Sequence, residues 1–511
     1  MKTFILSVLL LGLSVLAKDC HVRNYGASSI VCVCNATYCD KIEPISTDSI
    51  SGGHYTHFVS SKAGLRLKKT TSKFTKTAES ALSPKSALKL TVQRNVKYQE
   101  MLGFGGAITD ATAINIKSLS AKAEENLMES YFGEGGSQYT ILRNPIGASD
   151  FSLEYYSFDD VKGDTTLNHF ALRNEDIKYK IPIIKKARQL NKRGVKLFAS
   201  AWSAPYWMKK NGTVAGTSHL LPENYQPWAN YYVKYFDAYA KENVKFWGLT
   251  AQNEPTQGGW LPSRIISMGW TAEQQRDWIA QHLGPTLHKG GYDYLKLMIM
   301  DDNRAILANW VKTVLGNKTT SNYVSGIAVH FYSDTSSDPA ILTNAHKTYP
   351  DKFILYTEAC DLNRISTKDL GSWEKGEQYG SSILKAIDNW VVGWTDWNMV
   401  LNLNGGPTWT CCPFNAPIIA NSKADEFYKQ PMYYFLAHFS SFVPPGSKRI
   451  GLSANEASNI LSTAFLTPEQ ETVIVLMNSK DTASSVVISD SGHGNIAVDV
   501  QARSIHTILY K

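Results

Sequence analysis

Short apolar runs alternate with amphipathic segments from about residue 96 to residue 400. Segments with the helical period include TAINIKSLSAKAEENLMESYF, PWANYYVKYFDAYAKEN and AEQQRDWIAQHLG. Between such segments lie eight candidate strands: YQEMLGFGG, YTILRNPIG, VKLFASAWS, FWGLTAQNE, LKLMIMDDN, GIAVHFYS, FILYTEAC and VVGWTDWNM. Repeated strand–helix alternation predicts a parallel sheet covered by helices, and eight strands predict a closed (β/α)8 TIM barrel.

The pattern changes after about residue 446, where short β-rich runs follow one another with turn residues between them. These runs are ILSTAFL, TVIVLMNS, SVVISD, IAVDV and SIHTILYK. They predict an antiparallel β-sandwich over residues 447–511. Residues 46–95 have the same character, so we expect them to add strands to that sandwich.

The first residues, MKTFILSVLLLGLSVLA, combine one lysine with an apolar run and small residues suited to cleavage. This pattern is typical of a secretory signal peptide over residues 1–17, and the run is too short for a comfortable membrane span. We therefore predict a mature chain that begins near Lys18 and enters the secretory pathway.

The composition fits an ordinary globular protein, with 43% hydrophobic and 19% charged residues among 511. The formal net charge is +7, but the lysines and arginines are scattered, which argues against a nucleic-acid groove. A weak attraction to an anionic lipid surface is compatible with this charge.

Four of the seven cysteines cluster near the N-terminus: Cys20, Cys32, Cys34 and Cys39. No pair of them has the Cys-x-x-Cys spacing of a zinc knuckle, so in an oxidising compartment two disulfides are the favoured interpretation. Cys360, Cys411 and Cys412 remain, which leaves at least one thiol without an internal partner. Glycosylation sequons begin at Asn35, Asn211 and Asn317.

Active sites of TIM barrels lie at the carboxyl ends of the strands, so the polar residues that end the apolar runs are the candidates for chemistry. Along the chain these are Asp110, Arg143, Trp202, Asn253, Glu254, His330, Tyr332, Glu358 and Trp397. Two carboxyl groups among amides and aromatic rings suit glycosidic-bond cleavage, in which one protonates the leaving oxygen and the other meets the charge at the anomeric carbon.

Structural roles compete with this interpretation. Glu254 alone suits a helix cap or a barrel salt bridge, Glu358 suits a solvent-facing position, and Asp110 suits the cap of the helix that starts at TDATAINI. The segment GFGGAITD lacks the third glycine of a dinucleotide loop, because Ile108 stands in its place. Serine-hydrolase and zinc-protease motifs are missing from the sequence.

Long, ordered motifs identify a resemblance: VCVCNATYCD, GFGGAITDA, FASAWSAPYWMKKNG, LTAQNEP, GIAVHFY, TEAC, VVGWTDWN and YKQPMYYFLAHFS. The chain resembles the glucosylceramidase group of glycoside hydrolase family 30 over essentially its whole mature length. The resemblance implies a TIM barrel over residues 96–446, an appended sandwich, and a small disulfide-stapled β subdomain. We expect this subdomain to combine residues 18–45 with residues 399–430, and the disulfides to be Cys20–Cys32 and Cys34–Cys39.

By the same resemblance, Glu254 in Asn-Glu-Pro is the acid/base and Glu358 in Thr-Glu-Ala-Cys is the nucleophile of a retaining, double-displacement reaction. Sugar-binding positions are Asp110, Trp202, Asn253 and Trp397. The groups that line the site are Arg143, His330 and Tyr332, whose expected task is to keep Glu358 ionised while Glu254 stays protonated.

The implied reaction is hydrolysis of glucosylceramide to glucose and ceramide through a glucosyl-enzyme, without metal or organic cofactor. The implied partners are glucosylceramide in membranes, an anionic lipid surface and a saposin-type activator; nucleic acid is not among them. The implied location is the lysosome, with secretion as an alternative, and the oligomeric state stays open.

Two segments depart from the family pattern: the loop TQGGWLPSRIISMGW after Glu254, and TWTCCPFNAP with its adjacent Cys411 and Cys412. Both border the entrance, so they bear on the lipid-tail and activator contacts. Alternative functions are another family 30 activity, on β-1,6-glucan, xylosides or steryl glucosides, or a non-catalytic glycan- or lipid-binding protein.

Overall fold

The computed structural model describes residues 18–75, 87–260, 265–410 and 413–511, with the side chain of Trp260 left out. The predicted signal peptide at residues 1–17 and the pair Cys411 and Cys412 lie outside the described residues. No helix of the described part is both long and apolar enough to cross a bilayer.

A closed barrel of eight parallel strands forms the centre of the molecule. The barrel strands, numbered one to eight in chain order, are Gly103–Ala107, Ile141–Ile146, Lys196–Ala201, Gly248–Thr250, Lys296–Asn303, Val324–His330, Phe353–Glu358 and Val391–Asn398. Each strand pairs with the next, and the eighth closes on the first at Gly393↔Gly103. The prediction of a (β/α)8 barrel is confirmed, and each barrel strand overlaps one of the eight predicted runs.

Helices surround this barrel because parallel strands buried on both faces need cover on the outside. The α-helices of the described residues are Asp110–Lys117, Ala121–Phe132, Ile181–Leu190, Tyr225–Lys241, Gln257–Trp260, Ala272–Trp278, Gly284–Lys289, Leu307–Leu315, Lys318–Tyr323, Ala340–Thr348, Trp373–Asp388 and Pro431–Ser440. Inside the barrel, below the strand ends, apolar side chains such as Phe198, Met298 and Leu355 form a separate core.

The second unit is a nine-stranded sheet, numbered here as sandwich strands one to nine. Its strands are His54–Ser61, Lys68–Lys73, Leu88–Glu100, Lys448–Ala454, Ile460–Leu466, Thr472–Asn478, Ser484–Asp490, Gly494–Val500 and Ser504–Tyr510. The hydrogen-bonded order is eight, seven, three, four, five, six, nine, one, two. Side chains from several of these strands, among them Leu90, Ile474 and Ile496, pack into one apolar core. The predicted sandwich is therefore confirmed.

Sandwich strand three ends at Glu100 and the first barrel strand starts at Gly103. The strand therefore runs five residues past residue 95, where the sequence pattern placed the boundary of the barrel. The physical reason is that YQEMLGFGG contains the end of one strand and the start of the next. Only two residues, Met101 and Leu102, separate a strand of the sandwich from a strand of the barrel.

A third, smaller sheet combines the N-terminus with residues that follow the last barrel strand. Its strands are Val22–Arg23, Val31–Asn35, Val400–Asn402, Ile418–Asn421 and Glu426–Lys429. Disulfides join Cys20 to Cys32 and Cys34 to Cys39, so the predicted pairing is confirmed in the structure. Helix Pro431–Ser440 is buried along its whole length, and His438 within it contacts Thr507 and Ser60 of the sandwich.

Candidate active site

Two glutamates meet at the carboxyl ends of barrel strands four and seven. Glu358 is the last residue of strand seven, and Glu254 lies four residues beyond the end of strand four. One carboxylate oxygen of each lies within 4.8 Å of the other and of a ring nitrogen of His330. Retaining glycosidases hold their two carboxyl groups about 5–5.5 Å apart, whereas inverting enzymes need about 6.5–9.5 Å. The spacing therefore suits a retaining reaction.

The backbone at Glu254 has an unusual conformation, with φ at +39°. Left-handed backbone at a residue other than glycine costs on the order of 1–3 kcal/mol and persists only where the surroundings impose it. Here the N–H of Glu254 donates to the carbonyl of Asp301 at 2.8 Å, and the N–H of Asn253 donates to Ala201 at 2.9 Å. Neighbouring strands thus fix the direction in which the Glu254 side chain leaves the barrel.

Hydrogen-bond donors surround the carboxylate of Glu358. Arg143, from barrel strand two, donates Nη1 to Oε2, and the Tyr332 hydroxyl donates to Oε1 at 2.7 Å. The Nη2 of Arg143 also donates to Asn253 and to Asp301, each at 2.8 Å. Burial opposes the charge of Arg143, but the carboxylates of Asp301 and Glu358 leave its pKa raised. A buried guanidinium therefore holds the Glu358 carboxylate through a charge-assisted hydrogen bond.

His330 lies between the two glutamates. Its Nδ1 is 3.0 Å from Oε1 of Glu254 and 3.8 Å from Oε1 of Glu358, while its Nε2 is 3.0 Å from Oδ1 of Asp301. Burial disfavours the imidazolium, but the charge of Glu358 and the hydrogen bonds to Asp301 and Glu254 raise the pKa of His330 to about 10. The ring therefore carries a positive charge at neutral and acidic pH.

Glu254, His330 and Glu358 also have the spacing of a cation site. However, both ring nitrogens of His330 already face carboxylate oxygens at 3.0 Å, and a protonated imidazole offers no lone pair to a metal. These groups are better described as one hydrogen-bonded cluster of acidic and basic side chains, which Arg143 and Asp301 complete.

Two tryptophans form a wall beside the cluster. The rings of Trp202 and Trp397 stack with centroids 4.8 Å apart and an interplanar angle of 22°. The Arg143 guanidinium lies 4.7 Å from the centroid of Trp202 and 5.4 Å from that of Trp397. Arg143 therefore fixes both rings through cation–π contact while it binds Glu358.

Asp110 is the one predicted site residue whose contacts lie elsewhere. Its Oδ2 accepts hydrogen bonds from Ser152 at 2.6 Å and Tyr156 at 2.9 Å, and its Oδ1 lies 3.0 Å from the ammonium of Lys180. Thr109, and not Asp110, caps the first helix. The carboxylate thus takes part in a buried ion pair, while its Oδ1 has no hydrogen-bond partner among the described residues. The predicted sugar contact of Asp110 stays a prediction.

Asp150 was missed by sequence reasoning. It is buried in the loop after barrel strand two, where its backbone carbonyl accepts a hydrogen bond from the Thr408 hydroxyl at 2.6 Å. Burial and the negative charges of Glu358 and Glu254 raise the pKa of Asp150 well above its usual range. A buried carboxyl group whose charge is influenced by the catalytic pair is suited to bind a hydroxyl group of a ligand.

Asp301 was also missed, although a signal for it existed. Burial would raise its pKa, but Arg143 and His330 hold the pKa of Asp301 below its usual range. Hydroxyl groups of Thr250 and Thr357 donate to it at 2.7 Å and 2.6 Å. The run LKLMIMDDN ends in acidic residues, so the rule that polar residues at strand ends form the site predicts Asp301 as well.

Other predicted positions have simple surroundings. Cys360 is a buried free thiol whose sulfur lies 3.5 Å from the Tyr332 hydroxyl, and burial raises its pKa well above the usual range. Asn211 is exposed, whereas Asn35 and Asn317 are half-buried. Asn317 caps helix Lys318–Tyr323 through a 3.1 Å bond from the N–H of Thr320. Glycosylation at the three sequons stays a prediction.

Comparison with known proteins gives two family matches. The Glycosyl hydrolase family 30 TIM-barrel domain matches residues 101–443, and the Glycosyl hydrolase family 30 beta sandwich domain matches residues 446–508. The chain is 40% identical to lysosomal acid glucosylceramidase of Mus musculus over 502 residues, which are 97% of this chain and 96% of the mouse protein.

Solved structures agree with this match. The crystal structure of SrfJ from Salmonella typhimurium superposes with a TM-score of 0.82 at 25% identity, over 90% of this chain and 99% of that one. The endo-β1,6-glucanase BT3312 superposes with a TM-score of 0.78 at 26% identity, over 89% of this chain and 99% of that one.

Proposed function

The chain belongs to glycosyl hydrolase family 30, and from this premise we propose that it is a retaining β-glucosidase that hydrolyses glucosylceramide to glucose and ceramide. The observation that carries the proposal is the pair Glu254 and Glu358, whose oxygens lie within 4.8 Å of each other. The near-full-length similarity to the mouse glucosylceramidase supports the choice of substrate.

The proposed reaction has two steps. Glu358 attacks the anomeric carbon as Glu254 protonates the glycosidic oxygen. The bond to ceramide breaks, ceramide leaves, and the glucose is now α-linked to Glu358 as a glucosyl-enzyme. Glu254, now a carboxylate, then takes a proton from water as the water oxygen attacks the anomeric carbon and the bond to Glu358 breaks. Glucose leaves with retained configuration and both glutamates regain their starting forms.

Residues around the pair have separate proposed tasks. Arg143 and Tyr332 stabilise the Glu358 carboxylate, because each donates a hydrogen bond to it. Asn253, fixed by Arg143, is placed to contact the 2-hydroxyl of the sugar. Trp202 and Trp397 offer an aromatic wall, and Asp150 joins Asp110 as a proposed ligand of the outer hydroxyl groups.

A lipid surface is the proposed place of work. The loops that leave the carboxyl ends of the barrel strands form the rim of the active site, and they expose Leu153 (57%), Val161 (44%) and Leu362 (51%). Such apolar side chains insert into the headgroup region, and the net charge of +7 favours anionic lipids. Lysosomal location fits the similarity to the mouse protein, while a saposin-type activator remains a prediction from the sequence.

The test is glucose release from glucosylceramide in anionic vesicles at acidic pH. Wild type should be active and Glu358→Gln inactive. The control Glu223→Gln makes the same substitution at an exposed glutamate and should match wild type. Equal activity of wild type and Glu358→Gln would remove Glu358 from its role. A wild type that cleaves neither glucosylceramide nor a soluble aryl β-glucoside would overturn the proposed function itself.

A further inference from the structure

The turn that carries Glu254 is held at both ends by two consecutive residues of barrel strand five. The N–H of Glu254 donates to the carbonyl oxygen of Asp301 at 2.8 Å, and the N–H of Thr256 donates to Oδ2 of Asp302 at 3.1 Å. Pro255, which stands between them, has no N–H and a fixed φ. Every backbone N–H of this three-residue stretch is therefore bound to strand five.

The side chain of Thr256 is bound to the same carboxylate. Its hydroxyl donates to Oδ2 of Asp302 at 2.7 Å, so one oxygen accepts from both the N–H and the O–H of Thr256. The other oxygen, Oδ1, accepts from the N–H of Asn303 at 2.6 Å. Asp302 is buried, and buried polar groups depend on such partners. The two bonds from one residue fix both the position and the rotation of Thr256.

A β-bulge explains how neighbouring aspartates serve different partners. In a regular strand Asp301 and Asp302 would face opposite sides of the barrel wall. The register with strand six shifts between Met300 and Asp302, so Asp301 is an extra residue in strand five. Met300 and Asp301 both have left-handed backbone, with φ at +73° and +56°. Bulges turn side chains to new directions and are frequent next to active sites. Here Asp301 binds the catalytic cluster, and Asp302 binds the turn of Glu254.

Glu254 depends on this support because its own backbone is left-handed, with φ at +39°. Such a conformation at a residue other than glycine persists only while the surroundings impose it. The carboxyl group of Glu254 must stand within hydrogen-bond distance of the glycosidic oxygen to protonate it. Misplacement of a reacting group by about 1 Å can lower a rate about 100-fold. The contacts of the turn therefore bear directly on proton transfer.

We propose that Asp302 is a positioning residue that acts on the acid/base Glu254 through Thr256. The inference rests on the proposed function, in which Glu254 donates a proton to the glycosidic oxygen. Nucleophilic attack should not need this contact, because Glu358 is held by hydrogen bonds from other residues. A change at Asp302 or Thr256 should therefore impair proton transfer and spare the attack.

The test measures kcat/KM of the whole protein on two soluble β-glucosides. This constant reports formation of the glucosyl-enzyme, which needs an acid when phenol leaves and hardly needs one when 2,4-dinitrophenol leaves. Thr256→Val keeps the shape and the N–H of the residue but removes the hydroxyl. On phenyl β-glucoside we expect a loss of about 10-fold in Thr256→Val and about 100-fold in Asp302→Ala, which removes both bonds. On dinitrophenyl β-glucoside we expect a loss of less than about 2-fold in each.

Two further variants are controls. Thr256→Ser restores a hydroxyl donor and should recover most of the loss on phenyl β-glucoside. Thr348→Val removes a hydroxyl hydrogen bond of 2.8 Å to the carbonyl oxygen of Asn344, in a helix outside the barrel, and should match wild type on both substrates. Thermal unfolding of each variant checks the fold. If Asp302→Ala unfolds early, the two Thr256 variants decide the question alone.

Equal losses on the two substrates in Thr256→Val would reduce the contact to a part of the scaffold and overturn the inference. An unchanged kcat/KM on phenyl β-glucoside in the same variant would overturn it as well. In both cases hydrolysis by wild type would leave the proposed function standing. A wild type that cleaves neither glucoside would overturn the proposed function and, with it, this inference.

Discussion

Nδ1 of His330 lies 3.0 Å from Oε1 of Glu254, the proposed acid/base. The other ring nitrogen lies equally close to Asp301, which in turn accepts a hydrogen bond from Arg143. Because Arg143 also binds Glu358, both glutamates belong to one network of charges. A change at any member should therefore alter the chemistry of the others.

Removal of the acid/base should slow the second step more than the first for substrates with good leaving groups. We expect Glu254→Ala to lose about 10²–10⁴-fold in activity on glucosylceramide, the usual contribution of general acid–base catalysis. Azide should restore turnover of an activated aryl glucoside and yield β-glucosyl azide, since an anion needs no general base. Product analysis by NMR tests this, and α-glucosyl azide as the product would instead make Glu254 the nucleophile.

Asp301 should act as a positioning residue for His330. Replacement by Asn removes a charged partner of His330 and Arg143, and hydrogen bonds to charged groups contribute about 1.5–3 kcal/mol, so kcat should fall about 10- to 100-fold. The surface variant Asp499→Asn should keep wild-type kcat.

The pH dependence of stability distinguishes this role from general damage. The folded-state pKa of His330 is raised to about 10, so its stabilisation is full below about pH 6.5 and is lost as the pH rises from there through 10. In Asp301→Asn the pKa of His330 should be lower and the loss of melting temperature between pH 7 and pH 9.5 smaller. An identical pH profile of melting temperature in both proteins would contradict the positioning role.

Two aspartates should respond in opposite ways to the same substitution. Asp150→Asn should lower kcat/KM at least 10-fold and leave the melting temperature unchanged or higher, because it removes a buried carboxyl group whose charge is opposed by burial and by Glu358 and Glu254. Asp110→Asn should destabilise the fold by about 3–5 kcal/mol, because Lys180 would lose part of a buried ion pair. A kinetic defect in a fully stable Asp110→Asn would instead support the predicted role of Asp110 as a sugar ligand.

Some residues of the site could be predicted from the sequence pattern and others could not. Strand–helix alternation predicts the barrel, because buried parallel strands appear in the sequence as apolar runs. The rule that polar residues at the ends of these runs form the site predicts Glu254 and Glu358, and it also predicts Asp301 when it is applied to every run. Asp150 lies three residues beyond the predicted run YTILRNPIG, whereas Glu254 is the last residue of the run FWGLTAQNE, so the rule for run ends passes over Asp150. The ion pair of Asp110 with Lys180 joins residues 70 positions apart, so only tertiary packing reveals it.

Exposed apolar residues on the rim should matter for lipid substrate alone. We expect Leu153→Asp and Val161→Asp to lower glucosylceramide turnover in vesicles about 3- to 10-fold, because insertion of one apolar side chain contributes about 1.5–3 kcal/mol when complete. Hydrolysis of a soluble aryl β-glucoside should hardly change. The control is Tyr294→Asp, equally exposed (51%) but located before barrel strand five, at the opposite end of the barrel. Equal effects at both ends would contradict docking through the rim.

A pair of histidines on neighbouring strands should weaken the sandwich in acid. Nε2 of His57 lies 2.8 Å from Nδ1 of His506 on the neighbouring strand, and burial lowers the pKa of His57 to about 4. The folded protein therefore binds fewer protons than the unfolded chain below about pH 6.5, and stability should fall from there down to pH 4. His57→Gln keeps a hydrogen-bonding group but cannot titrate, so it should recover about 1–3 kcal/mol of that loss. Chemical denaturation at pH 7 and pH 4.5 measures both proteins, with His288→Gln, an exposed histidine, as the control. If His57→Gln and wild type lost equal free energy of unfolding between the two pH values, protonation of this pair would not be the cause of acid sensitivity.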